Sequence, residues 1–557
     1  MVKRVLKLVY SEIRGLHQAA YILALFAFGS QILALVRDRL FAHTFGAGNE
    51  LDLYYAAFRI PDILYVLFVS VLSVYVLLPF VAKARQESEA AGARVLGQMF
   101  TFFLLSYTAI AFVIFILAPY LVPVLFPGLV DNAETLVLLM RILLLQPLLL
   151  GISTIFGVVT QLSHRFVLYA ISPLIYNVGI ICGIIFFYPY FGWSGLVIGV
   201  VVGALGHMLV QLPLVRKSEL SFGLVTKFDL PLLKSIFLVA LPRALTLSLH
   251  QLVLLFLVGT ATLMAAGSVA IFQFALNLQS VPLAIIGMSY SVAAFPVLAD
   301  LFAKKEQTAF NHHVLTAFRH IIFWSLPIIA LVIVLRAQIV RVVLGSGAFD
   351  WADTRLTAAV LAVFIVTLAA QSILLLLIRA FYAGGKTMVP FVITLIGSVT
   401  ILVTALLSFR LIAIYPGLMS TIEKVFRVDD LLGTEILLLA LAFAVGILLE
   451  MVIMIAVAVR DFSFTFKGVF GQLFQSSLAA LASGISAYGT LVFVVDGINQ
   501  ESFIGILLQG ATAGIVGVLF GILTYYLLGS KELDEIYRSY HSKIFKTDVI
   551  GAPPSTL

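Results

Sequence analysis

Charge is scarce in this chain. Only 11% of its 557 residues are Asp, Glu, Lys or Arg, and 62% are hydrophobic, whereas soluble domains are roughly 25% charged and 45–50% apolar. That balance excludes a soluble globular fold and predicts an all-α polytopic membrane protein. Cysteine is scarcer still: Cys182 stands alone, in the middle of an apolar run, which excludes a disulfide framework and a cysteine-built metal site. It reads as a buried apolar residue. Long polar stretches are missing too. The two longest, near 411–434 and from 529 onward, are too short to fold alone, so no basic soluble domain exists to bind nucleic acid. Catalytic patterns are equally absent. There is no HExxH or GxSxG, and His312–His313 has no acidic partner beside it. The string Gly384-Gly385-Lys386-Thr387 lacks the first glycine of a phosphate-binding loop, Ala380 standing in its place, and no strand precedes it. The expectation is a protein that is not an enzyme and carries no cofactor or metal.

What is present is a series of apolar runs about 20 residues long, the length that crosses a bilayer as a helix. Dividing them at polar or Gly/Pro breaks gives fourteen candidate spans, centred near 27, 70, 110, 147, 177, 203, 250, 285, 325, 367, 398, 445, 484 and 515. The basic residues between spans are unevenly distributed. Lys3, Arg4, Lys7, Arg14, then Lys83, Arg85, Arg94, Lys304, Lys305, Lys386 and, near the ends, Lys467, Lys531 and Lys546 share one face; Arg336, Arg341, Arg355, Arg410, Lys424 and Arg427 lie on the other, among Asp350, Asp353, Asp429, Asp430 and Glu435. The positive-inside rule then puts both termini in the cytoplasm and accounts for the net charge of +7. The first span lacks a small-residue cleavage site before Arg37 and is read as retained.

The leading site candidate is the stretch 37–62, RDRLFAHTFGAGNELDLYYAAFRIPD. It sets Arg37, Asp38, Arg39, Asp52, Arg59 and Asp62 among apolar segments, where a charge costs roughly 2.5–3.5 kcal/mol on insertion scales and normally faces a bundle interior or a wet cavity. A weak internal repeat accompanies it. Ser30–Gln31, Gly46-Ala47-Gly48, Tyr54, Tyr55, Phe58, Pro61, Pro79 and Lys83 recur in order as His250–Gln251, Ala265-Ala266-Gly267, Phe272, Phe274, Pro282, Pro296 and Lys304. Six spans separate the two units, so the halves share one orientation, related by an axis along the membrane normal. Two six-helix lobes are expected, at 1–220 and 221–465, followed by two helices at 466–530 and a cytoplasmic tail at 531–557. Pro61 and Pro282, each inside a long helix, are the expected kinks and hinges.

The segment RDRLFAHTFGAGNELDLYYAAFRIPDILYVLF resembles the start of the MurJ (MviN) family of lipid II flippases, within the multidrug/oligosaccharidyl-lipid/polysaccharide exporter superfamily. LPRALTLSLHQ at 241–251 resembles that family's seventh helix, and IRAFYAGGKTMVP at 378–390 its connection between helices ten and eleven. The resemblance implies two lobes around a cationic cavity, two terminal helices offering a groove to a lipid tail, and alternating access in a bacterial plasma membrane. The implied substrate is lipid II, an undecaprenyl-pyrophosphate-linked disaccharide pentapeptide, with membrane lipids and cell-wall synthesis or division proteins as partners. Arginine forks match pyrophosphate oxygens, so Arg37 and Arg59 come first, with Arg39, Asp52 and Arg243 beside them. Arg243 is expected near the start of its helix, where the positive helix end would also face an anion. Asp38, Gln31, Asn277, His250 and Gln251 are secondary candidates.

The departures are specific. Positions that are arginine in many family members align here with Gln31, with Tyr65 or Val66, and with Asn277, which predicts a less cationic cavity. Met388–Phe409 contains no Asp, Glu or Asn, so sodium coupling is not carried over. Competing readings are a flippase for another polyprenyl-pyrophosphate-linked glycan, a small-molecule or drug antiporter of the same superfamily, and a non-transporting membrane scaffold.

Overall fold

The computed structural model of the chain describes residues 16–465, 468–494 and 502–544. Lys3, Arg4, Lys7, Arg14, Lys467, Lys546 and the last part of the tail lie outside the described residues. Within them every regular element is helical. Twelve helices are long and apolar enough to cross a membrane, or thirteen when Trp351–Val366 and Leu368–Ala383, bent by 43°, are taken as one span. The further 30-residue helix Leu16–Phe45 precedes them. Thirteen of the fourteen expected centres fall inside these helices, and the one at 367 falls on the turn between Trp351–Val366 and Leu368–Ala383.

The helices that matter below are, in chain order, α1 (Leu16–Phe45), α2 (Asn49–Leu72), α3 (Val74–Arg85), α4 (Phe166–Cys182), α5 (Trp193–Leu209), α6 (Leu230–Ala261), α7 (Ser268–Leu283), α8 (Ser289–Ala303), α9 (Gln307–Val343), α10 (Trp351–Val366), α11 (Met388–Ile414), α12 (Pro416–Phe426), α13 (Ile436–Phe462), α14 (Val469–Gly489), α15 (Phe503–Leu527) and α16 (Lys531–Ile544). His312 and His313 are inside α9. The chain forms two compact units from interleaved segments. One takes Met1–Phe274, Val343–Thr357 and Pro390–Ala442; the other takes Ala275–Val342, Ala358–Val389 and Phe443–Leu557.

In the first unit α1 packs on α4, and α2 on α6. Glycine sets how closely α4 and α5 approach. A Cβ at Gly179 would come 2.2 Å from the Cα of Gly203, and one at Gly199 would come 2.3 Å from the Cα of Gly183. The backbones therefore touch directly, as small-residue seams allow inside a membrane. The core beside them is built of apolar and aromatic side chains, among them Leu96, Phe103, Tyr107 and Ile155. Tyr107 Oη is buried there and donates to Leu144 O at 2.5 Å.

Near the two prolines the helices depart from α geometry at other residues. α2 continues through Pro61, and the chain leaves helical geometry only at Ser73, whose φ of −60° and ψ of 147° separate α2 from α3. The missing N–H at Pro61 is tolerated inside the bundle, whereas the extended Ser73 opens the break. Pro282 also lies inside a helix, α7, but the next turn widens into the π-helical segment Ala284–Met288 before α8 begins. Such wide turns often mark functional sites.

In the second unit α14 and α15 approach closely, Gly517 and Gly521 lying against Ser483. Tyr525 of α15 stacks on Phe323 of α9, ring centroids 4.2 Å apart, and its hydroxyl donates to Phe323 O at 2.7 Å. The tail continues as α16, with Glu532 buried 3.6 Å from Arg319 and Glu535 3.0 Å from His320. An apolar groove of about 660 Å³ is lined by Leu326, Ala330, Ile333 and Val334 of α9 and by Ala480, Gly484 and Tyr488 of α14. A groove was expected from the last two spans together, yet α15 lines none of it; its glycines pack against both neighbours, Gly510 and Gly514 toward α9 and Gly521 toward α14.

Candidate functional site

The charged stretch folds into two distinct places in the first unit. In the first, α1 carries Arg37 and Asp38 against α4. Arg37 Nε and Nη2 donate to Asp38 Oδ1 at 3.0 and 2.8 Å, and Nη1 donates to Asn177 Oδ1 at 3.2 Å. Asn177 Nδ2 in turn donates to Pro173 O at 3.1 Å and Ser30 Oγ at 3.3 Å, so its carbonyl end is turned toward the guanidinium. Asp38 is buried while 21% of the Arg37 side chain stays exposed. The carboxylate offsets the charge at close range, which makes a guanidinium tolerable here, and the exposed part remains open to a ligand.

Arg59, on α2, is 5% exposed. Its Nη2 donates to Gln273 of α7, and its Nε is buried without a hydrogen-bond partner. One turn earlier Tyr55 Oη is also buried and unpartnered. One turn later Asp62 is half-buried. Spacings of four and three residues put Tyr55, Arg59 and Asp62 on a single face of α2. Orphaned buried donors are costly, about 1–3 kcal/mol each, so two of them on one stripe point to a group that supplies oxygen acceptors. Aromatic rings wall this region: Phe41 to Tyr54 at 4.7 Å, Tyr54 to Phe58 at 4.9 Å and Tyr55 to Phe274 at 6.0 Å between centroids.

The second place is a junction of loops. Asp52, 2% exposed, accepts the Gly267 N–H at 2.7 Å and the Ala270 N–H at 2.8 Å. These are donors at the start of α7, which no intrahelical carbonyl can satisfy. Asp52 therefore caps a neighbouring helix, and both of its oxygens are used. Gly267 holds φ +89°, and a Cβ there would fall 1.9 Å from Ala47 O. Gly347 holds φ +60°, and a Cβ there would meet His43 O at 2.2 Å. Only glycine fits either position. The Ala348 N–H donates to His43 O at 2.9 Å, the Ala47 N–H to Asp353 Oδ2 at 3.1 Å, and Arg39 Nη1 to Val343 O at 3.4 Å. Beside them Arg355 grips Asp430 at 2.5 and 2.6 Å and Arg427 O at 2.5 Å. That guanidinium holds the Asp430 carboxyl below the usual carboxylate range.

The remaining candidates are scattered. Arg243 is half-buried within α6, whose first residue is Leu230, so it does not lie at a helix start. The Asp229 carboxylate accepts the Leu232 N–H at 3.0 Å and starts the helix about four turns earlier, and Pro242 is accommodated in its interior. His250 is exposed in the middle of α6, and Gln251 and Gln31 are half-buried. Asn277 lies on the part of α7 that belongs to the second unit. Asn177 and Gln273, which orient the two arginines, were not among the expected site residues. Nor was Glu450, a carboxyl 5% exposed within α13; its signal was a lone acid in an otherwise apolar run. Buried polar contacts also join Ser153 Oγ to His207 Nδ1 and to Gln211 Nε2, each at 2.7 Å. Among the described residues no group of three or more His, Cys, Asp or Glu is placed to hold a metal ion.

Three comparisons bear on this geometry. Residues 41–507 match the family profile described as lipid II flippase MurJ. Among curated proteins, the probable lipid II flippase MurJ of Rhizobium tropici is 29% identical over 65% of this chain and 70% of its own length. The counterpart from Rickettsia prowazekii is 25% identical over 68% and 76%, and that from Thermotoga maritima 27% over 69% and 78%. Among solved structures, a lipid II flippase MurJ in an inward closed conformation superposes with a TM-score of 0.71 at 21% identity, covering 93% of this chain and 100% of that one. A multidrug resistance MATE family transporter of the MOP superfamily, inward-facing, gives a TM-score of 0.64 at 14% identity over 78% and 94%.

Proposed function

The chain belongs to the lipid II flippase MurJ family, and from that premise we propose that it carries lipid II from the cytoplasmic to the outer leaflet of a bacterial plasma membrane, gripping the pyrophosphate with Arg37 and Arg59. The family is one of transporters, and the chain crosses the membrane many times. The observation that carries the assignment of the site is the stripe on α2, where buried Arg59 Nε and Tyr55 Oη lack partners. Pyrophosphate oxygens would complete both groups. The exposed part of Arg37 supplies a second fork, and Asp38 holds that guanidinium in place when the substrate is absent. A charge-assisted hydrogen bond of this kind is worth about 1.5–3 kcal/mol, enough to set the headgroup's position without holding it irreversibly.

The undecaprenyl tail is too long and apolar to follow the headgroup through a polar site, and the groove between α9 and α14 offers it an apolar track. The Ser73 break and the π turn after Pro282 are the places where helices can bend as access alternates. We retain the two-lobe division at 1–220 and 221–465, cytoplasmic termini, and cell-wall synthesis or division proteins as partners within this reading. Complementation tests it. The protein is expressed in a bacterium whose own lipid II flippase can be depleted, beside Arg37→Ala and Arg59→Ala versions whose insertion is checked. Rescue by the parent and not by the variants is expected. Failure of a well-inserted parent would redirect the assignment to another polyprenyl-pyrophosphate-linked glycan, and full rescue by both variants would remove the arginines from the mechanism.

A further inference from the structure

The connection from α11 to α13 leaves one membrane span at Ile414 and enters the next at Ile436, and between them runs α12. Its eleven residues include none that is buried. At about 100° per residue, Val425, Leu418, Ile422, Phe426 and Met419 fall in one continuous arc of about 120°, while Glu423, Ser420, Lys424 and Thr421 fill the opposite side. The rest of the protein leaves much of that apolar arc open: Leu418 is 44% exposed and Val425 69%. In water such a face would be a liability.

Its surroundings say what covers it. The exposed apolar surface of α11 runs without a break through Leu411 and Ile414 to Tyr415, the residue before α12. The far end of α12 is pinned. Arg427, at φ +60°, turns the chain back, its carbonyl is held by Arg355, and Thr434 Oγ1 donates to Glu423 Oε1 at 2.6 Å. A helix tied at both ends beside a membrane span cannot lift its apolar arc away from the lipid.

We propose that α12 lies in the membrane interface, with its Leu418–Ile422–Val425 edge set into the boundary between headgroups and acyl chains, so that the partner of this surface is the lipid itself. Amphipathic helices of this form bind in the interface plane through buried apolar area and, where charge allows, through anionic lipid. Here the exposed cations Arg410, Lys424 and Arg427 are nearly balanced by exposed Asp429 and Glu435. Insertion is therefore carried by apolar area and needs no anionic lipid.

The test uses the full chain in phosphatidylcholine vesicles, with Val425→Trp and Lys424→Trp versions read against the parent, whose own tryptophans provide the background. Trp at 425 is expected to emit at shorter wavelength and to be quenched by bromine placed high on the acyl chains more than by bromine near the bilayer centre. Trp at 424, on the opposite face, is expected to be quenched by aqueous iodide. Adding anionic lipid should leave both results unchanged. Equal iodide quenching at both positions would mean that the helix stands in water, and protection of position 425 from both iodide and bromine would mean that protein covers it; either overturns the proposal. A spin label on Leu418→Cys in a Cys182→Ala background gives an independent reading, with more frequent collisions with oxygen than with an aqueous nickel complex expected and the reverse overturning the proposal.

Discussion

The stretch 37–62 supplies both the pair Arg37 and Arg59 and, between them in sequence, the acid Asp52, yet the two places are treated in opposite ways. At the arginines, hydrogen-bonding capacity is left over: Arg59 Nε and Tyr55 Oη have no partner, and a fifth of Arg37 is exposed. At the junction both Asp52 oxygens accept backbone N–H groups and the neighbouring glycines leave no space for a methyl group. Unsatisfied donors are costly in a fold and useful to a ligand; satisfied ones do the reverse. A burial value alone would not separate the two, since Arg59 and Asp52 are both almost fully covered.

That contrast predicts that substitutions at the two places fail differently. Gly267→Val should have the largest effect, because a β-branched residue at φ +89° must also push away Ala47 O; a loss on the order of 3 kcal/mol or more is expected, read as a collapse of the melting temperature in detergent. Arg59→Ala should leave melting nearly unchanged but lower lipid II flipping in proteoliposomes by about tenfold to 100-fold, as expected for one charge-assisted contact. An equal loss of stability in both variants would erase the distinction. Asp52→Ala leaves two helix-start N–H groups without acceptors, at about 1–3 kcal/mol each, so melting should fall with flipping reduced only in proportion to folded protein. Gln273→Leu removes the neutral partner of Arg59 and should tighten binding of the pyrophosphate headgroup by about fivefold or less, the worth of one ordinary hydrogen bond. Smallest is the Arg355–Asp430 contact. Its carboxyl is held below the ordinary value of about 3.9, so the pairing is complete above that pH and is lost only as pH falls through the lowered value. Amide exchange around 427–431 should therefore rise only in strong acid.

The helical frame was legible in the sequence because apolar runs of bilayer length end at polar or Gly/Pro breaks, and every expected centre but the one at the Thr367 bend falls in a helix. Arg37 and Arg59 were legible because charge is conspicuous in such runs. Their orienting partners were not: Asn177 and Gln273 are neutral amides, and nothing in one sequence says which face of α4 or α7 they occupy. The capping role of Asp52 was hidden for a different reason, since its partners are backbone N–H groups, which every non-proline residue carries. Arg243 was misplaced because Asp229 and Pro231, an N-cap with proline in the first turn, were not read as the start of α6. The Ser73 break carries no proline at all, so the expected kinks at Pro61 and Pro282 drew attention away from it.

The glycine seam between α4 and α5 has a consequence for inheritance. Asn177, which orients Arg37, is carried on one of its two helices, and any side chain gained at Gly179, Gly199 or Gly203 would force both backbones apart before it could be accommodated. No single-codon step away from glycine is mild at these positions, so a descendant can replace Asn177 itself far more freely than it can move the beam on which that side chain is mounted.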